Sequence, residues 1–292
     1  MTYFTSNMNS KTGYMIRGVL IVLICMGLSG ISWGALAGET IDIETRWKGK
    51  KWKLEADLYL PEDKKGPFPT VIMIHGSAGP DSRYGFHRPA LLKEGIAVLQ
   101  VDFKSGIFKG PSDRPNVSNF IPFVFATLDE LRKHRSVDPE KVGIMGFSFG
   151  GFLSLQSSWK DTQEMEMDAD TGFVAHVAFY PGCFYLKQAW FSAFNKELAA
   201  PLLIFAGDKD SYGDGEHCAP FVQEMLETNP PDRVRVKIYP GTYHGFDGKR
   251  SWTGKDPGAV FNNKKAVLKP NPEAAKDAQA LTIKFFKQAF GI

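Results

Sequence analysis

Two stretches near the start of the chain, residues 40–45 and 53–60, alternate apolar and polar positions, with Gly49 in the turn between them. A period of two with one wet face predicts an antiparallel hairpin. Beyond it the pattern changes. Residues 70–74, 95–103, 142–145, 173–180 and 201–206 are largely continuous apolar runs, and Arg233-Val-Arg-Val-Lys-Ile-Tyr follows as a further strand candidate. Such runs predict strands buried on both faces, as in a parallel sheet. Segments with helical spacing lie around 89–94 and over 120–134, 152–156 and 218–227. A last helix opens at Asn271 and carries Ala275, Ala278, Leu281, Phe285 and Phe286 on one face. Alternating strands and helices predict an α/β fold, a mostly parallel sheet of about eight strands with helices on both faces. Residues 61–69, 105–116 and 251–257 read as loops, and 138–140 as the turn into the strand at 142. No repeat or linker interrupts the pattern, so residues 38–292 read as one domain.

The densest chemistry follows the run at 142–145. Gly146-Phe147-Ser148-Phe149-Gly150 fits the G-x-S-x-G pattern, with a strand before it and a helix after it. A sharp strand-to-helix turn strains the serine backbone and leaves room only for residues without Cβ on either side. It lifts Ser148 Oγ clear of the sheet and puts the Phe149 N–H at a helix start, where an oxyanion can be held. A serine hydroxyl needs a base. His244, in Tyr239-Pro-Gly-Thr-Tyr-His-Gly-Phe just past the last strand, stands on the same rim of the sheet. His176 reads as a core residue, and His75 as a support for its loop. An acid must hold the imidazole in the correct tautomer. Asp208, Asp210 and Asp214 all follow the 201–206 strand and compete for that role, with Asp210 preferred. The chain order Ser, Asp, His is one that such triads use. The second oxyanion donor is expected after the 70–74 strand, from the N–H of Ser77 or of Gly76.

The beginning of the chain adds an address. Arg17 precedes an apolar run of about 11 residues, short of the ~20 that span a bilayer. Ala35-Leu36-Ala37 places small residues where signal peptidase reads, so residues 1–37 are expected to leave as a signal peptide. The mature chain is then exported, periplasmic or secreted, with no membrane attachment. Losing Lys11 and Arg17 takes 35 basic residues to 33, against 32 acids. That balance offers no footprint for nucleic acid. Cys25 leaves with the signal, and the two remaining cysteines, Cys183 and Cys218, face an oxidising compartment in which an even pair points to a disulfide.

With these motifs on the page, the chain resembles the dienelactone hydrolase family of the α/β-hydrolase fold. The resemblance rests on His75-Gly76, on Gly-Phe-Ser148-Phe-Gly-Gly, on Gly-Asp-Lys-Asp210 and on Tyr-Pro-Gly-Thr-Tyr-His244-Gly-Phe, and spans residues 40–290. It implies ester or lactone hydrolysis without a metal or organic cofactor. Secreted relatives pair a Tyr-Pro-Gly-Cys with a cysteine after the acid loop, which resembles Cys183 and Cys218. Dienelactone-cleaving members carry a cysteine nucleophile. Ser148 in its place points to a serine esterase acting on a small-molecule ester.

Two segments are expected to wall the pocket, 105–122 and the aromatic-rich 183–200, with Tyr185, Trp190 and Phe191 as candidate pocket residues. The rival readings are a short-peptide hydrolase and a binding protein on a retired hydrolase scaffold. The motifs leave open the identity of the ester and the oligomeric state.

Overall fold

The computed structural model describes residues 38–47, 49–103, 117–167, 172–186, 196–260 and 262–292. The expected signal segment and the candidate pocket residues Trp190 and Phe191 lie outside the described residues. The hairpin forms as β1 (Glu39–Trp47) and β2 (Lys50–Tyr59). Then come β3 (Phe68–Ile74), α1 (Ser82–Lys93), β4 (Ala97–Val101), α2 (Ile121–Arg132), β5 (Val137–Phe147), α3 (Phe149–Gln156) and α4 (Lys160–Glu166). The second half holds β6 (His176–Phe179), the single turn α5 (Cys183–Leu186), β7 (Leu202–Gly207), α6 (Asp214–Met225), β8 (Val234–Tyr239), β9 (Trp252–Lys255), β10 (Lys265–Leu268) and α7 (Pro272–Phe290).

Eight strands join in the order β1-β2-β4-β3-β5-β6-β7-β8. The pairs β1–β2 and β2–β4 are antiparallel, and all pairs from β4 to β8 are parallel. The layers follow from side-chain alternation along each strand. Ile72 and Ile74 of β3 pack with Phe123, Val124 and Leu128 of α2 on one face. Val71 and Met73 pack with Leu91 of α1 and Phe286 of α7 on the other. With both faces covered, the central parallel strands read as apolar runs, while β8 at the sheet edge alternates apolar and basic residues.

Three expectations are corrected. Residues 251–257, read as an exposed loop, contain β9, which pairs with β10 as a small antiparallel sheet. Four residues of alternation are too few to separate a short strand from a loop. Residues 138–140 do not precede the strand that leads to Ser148 but bulge out within it, β5, whose pairing with β3 shifts between Phe68 and Thr70. The helix expected over 218–227 begins a turn earlier, at Asp214, directly after Gly213 with its φ of 89°.

Candidate active site

Ser148 joins β5 to α3 with φ 53° and ψ −109°, a backbone that residues with a Cβ rarely adopt. The flanking glycines make the turn possible. A Cβ on Gly146 would stand 2.1 Å from Gly150 O, and one on Gly150 would stand 2.3 Å from Ile74 O. The approach of Gly150 also lets its N–H donate to His75 O at 3.2 Å, docking the Ser148 turn onto the loop after β3.

Three strand ends converge here. Ser148 Oγ–H donates to His244 Nε2 at 2.9 Å, and His244 Nδ1–H donates to Asp210 Oδ2 at 2.7 Å. Those two bonds assign the tautomer. Both His244 and Asp210 are buried, which strengthens the pair electrostatically. The three competing aspartates separate by partner. Asp208 Oδ1 accepts the Thr242 N–H at 3.2 Å and so braces the histidine loop. Asp214 accepts from the N–H groups of Gly182 (3.1 Å) and Cys183 (2.6 Å), tying down the turn after β6. Burial, reinforced by the neighbouring Asp210 charge, pushes the Asp214 carboxyl up to about 7, and those two donors work against the rise.

The loop after β3 is held from both ends. The Phe103 N–H donates to His75 Nε2 at 3.0 Å, which leaves the proton on Nδ1 for donation to Gly76 O at 2.6 Å. Both ring nitrogens of His75 are thus engaged in bracing this loop. Gly79 N–H donates to the same carbonyl at 3.0 Å, closing the turn that presents Gly76 and Ser77. Phe149 opens α3, so its N–H has no acceptor inside the helix. Its ring lies between those of His75, at 6.2 Å, and Phe120, at 4.9 Å, which anchors that residue.

A family model described as the dienelactone hydrolase family matches residues 54–290. The chain belongs to that family. It is a carboxylic ester hydrolase. "Protein usf" of Aquifex pyrophilus is 27% identical over 243 residues, covering 79% of this chain and 92% of that protein. "Esterase FrsA" of Vibrio vulnificus is 32% identical over 134 residues, which are 44% of this chain and 31% of that larger protein. Among solved structures, Thermogutta terrifontis esterase 2 phosphorylated by paraoxon superposes with a TM-score of 0.63 at 18% identity, over 86% of this chain and 94% of that one. That likeness shows the α/β-hydrolase fold.

In this family member a cavity of about 250 Å³ opens beside the serine. Ser148, His244, Gly76, Ser77 and Ala78 line one part of it, and Arg83, Tyr212, Arg250, Trp252, Asp256 and Leu268 line the rest. Sequence reading missed that second group. Trp252 and Leu268 face each other across the β9–β10 pair, and Leu268 also bridges to His244. Only the aromatic in an otherwise polar stretch marked Trp252 beforehand. Tyr185, expected in the pocket, instead directs its hydroxyl to Gly258 O and is not among the cavity's described lining residues.

Cys183 and Cys218 form a disulfide with Cα atoms 5.0 Å apart, linking α5 to α6 beside Asp214. Ligand atoms of Asp210, Asp214 and His244 lie within 4.8 Å of one another. Both nitrogens of His244 are already engaged by Ser148 and Asp210, so this cluster does not offer a metal an intact ligand set.

Proposed function

We propose that this protein is an exported serine esterase for small carboxylic esters, working through Ser148, His244 and Asp210. The observation that carries the reading is the unbroken chain of hydrogen bonds, 2.9 and 2.7 Å, through side chains from three different strand ends. In the first half-reaction Ser148 Oγ attacks the ester carbonyl carbon while its proton passes to His244 Nε2. Asp210 stabilises the imidazolium and keeps it aligned. The negative charge that develops on the carbonyl oxygen falls to the backbone N–H groups of Phe149 and of Ser77 or Gly76, a contribution of ~3 kcal/mol per donor in comparable sites. His244 then returns the proton to the departing alkoxide, leaving an acyl-serine. In the second half-reaction water gives a proton to His244 Nε2 as its oxygen bonds to the acyl carbon, and the bond to Ser148 Oγ then breaks as His244 returns that proton to Oγ, releasing the carboxylic acid and restoring the serine.

The size of the site supports a small substrate. A cavity of about 250 Å³ is below the ~300–1,000 Å³ that holds drug-sized ligands. Export is supported by the disulfide, since such bonds persist in oxidising compartments. Among the described residues no helix is long and apolar enough to cross a membrane. The phosphorylation of a structural neighbour by paraoxon supports the choice of probe.

The test is reaction of the mature protein with a fluorophosphonate, followed by mass mapping of the adduct. A single adduct on Ser148, absent from Ser148→Ala, is expected, on a chain that begins at Gly38 and has no alkylatable thiol. A folded protein that takes no adduct, or takes it elsewhere, would overturn the nucleophile. A chain retaining residues 1–37 would overturn the export reading alone.

A further inference from the structure

Two tyrosines press on the imidazole of His244. Tyr180, at the end of β6, has its ring centroid 4.6 Å from that of His244, and Tyr212, in the loop after β7, lies 4.4 Å away. Neither hydroxyl is left to wander. Tyr180 donates to Asp247 Oδ1, and Tyr212 donates to Asp256 Oδ2 at 2.8 Å. Behind Tyr180 stands a buried polar cluster. Its hydroxyl accepts from Arg83 Nη1 at 3.1 Å, and His87 Nε2–H donates to the other oxygen of Asp247 at 2.8 Å. Burial alone would raise the Asp247 carboxyl. The bond and charge of His87, with Arg83 and Tyr180, outweigh burial and hold it below the ordinary carboxylate range. Tyr180 also has φ 39°, one of the few positive values at a residue other than glycine, and strain of this kind persists only where the surroundings impose it.

We propose that Tyr180 and Tyr212 form a clamp on His244, each held in place by the aspartate that accepts its hydroxyl, and that both are positioning residues for the general base. The inference rests on the serine hydrolase reading above. The physical need is plain. One hydrogen bond to Asp210 fixes a ring nitrogen but leaves the imidazole free to swing about that contact. His244 must present Nε2 first to Ser148 and then to the leaving alcohol, and an error of about 1 Å in such an alignment costs about 10²-fold in rate. Rings packed against the imidazole at these distances stop the swing, provided that they are themselves immobile. The backbone helps at one side, because Tyr212 N–H donates to Asp210 Oδ1 at 2.8 Å, coupling the clamp to the acid.

Tyr180→Phe and Tyr212→Phe keep the rings and remove the anchors, so they test anchoring and not bulk. Each is expected to lower kcat about tenfold while KM stays within about twofold, with an equal fall in the rate of fluorophosphonate labelling at Ser148. Combining Tyr180→Phe with Asp247→Asn should cost no more than Tyr180→Phe alone, because both remove the same contact. A purely structural role would lower the melting temperature and leave kcat per labelled site unchanged. Folded Tyr180→Phe and Tyr212→Phe enzymes with wild-type kcat would overturn the clamp, as would multiplicative losses in the double variant. Should Asp247→Asn fail to fold, the two Phe variants decide the matter. Failure of the hydrolase reading itself has a different signature, an unlabelled wild-type protein.

Discussion

Two buried aspartate–histidine pairs stand close together in this protein, and they invite comparison. His244 donates to Asp210 at 2.7 Å, and His87 donates to Asp247 at 2.8 Å. Bond length does not distinguish them. Their third partners do. The second nitrogen of His244 meets a serine hydroxyl on the wall of a cavity, whereas Asp247 accepts from His87 and Tyr180 away from that wall, which the cluster reaches only through Arg83, a donor to the Tyr180 hydroxyl. A base needs a proton to take and a substrate to take it for. The second pair has neither, so its hydrogen bonds hold α1, β6 and the histidine loop together.

The comparison breaks or sharpens under substitution, beginning with the open pair. Asp210→Asn should lower kcat by about 10⁴-fold, since the amide favours the wrong tautomer of His244. Asp208→Asn should cost less than about tenfold, because that side chain only braces the Thr242 N–H. Steady-state rates on a short-chain ester read both, and a reversed order would move the acid to Asp208.

At the sealed pair the effect should appear in stability. His87→Leu strips one donor from a buried carboxylate and should destabilise the fold by about 3 kcal/mol in urea titration. Its labelling rate at Ser148 should fall by no more than about tenfold, the share that reaches His244 through Tyr180. A rate loss as large as that of Asp210→Asn would erase the distinction between the pairs.

His176 completes the contrast, as a buried histidine with no aspartate. It donates Nδ1–H to Ser154 O at 2.9 Å, and burial lowers its pKa to about 3. The unfolded chain, at the ordinary 6.5, binds a proton that the folded chain refuses, so this contribution to stability is lost as pH falls below 6.5. About 2 kcal/mol should disappear between pH 7 and pH 5. Urea titrations at both values should show that His176→Gln flattens the dependence. An unchanged slope would mean that other groups set it.

Much of this was legible beforehand, for local reasons. The β5–α3 turn is encoded by glycines four residues apart around Ser148, and both are needed for close backbone approach within one short segment. His244 announced itself through the turn-forming residues that follow β8. Asp208, Asp210 and Asp214 could not be separated in the same way. They share one loop and one composition, and each is defined by an acceptor role toward a different distant donor: Thr242, His244 or Gly182 and Cys183. The contribution of β9 and β10 to the pocket wall was not legible, because each strand has only four residues and neither signals its partner. In the Asp247 cluster the bond from His87 to Asp247 spans 160 positions.

The sequence by itself determined the layered α/β architecture, the strained serine turn and the candidate base. Each depends on periodicity or on sterics among neighbours in the chain, and side-chain spacing carries that information directly. Only the tertiary structure decided which aspartate meets His244, which residues enclose the cavity and which histidine is sealed away. Those outcomes depend on where separate strand ends and loops come to rest against one another. Packing sets such distances, and no local pattern records them.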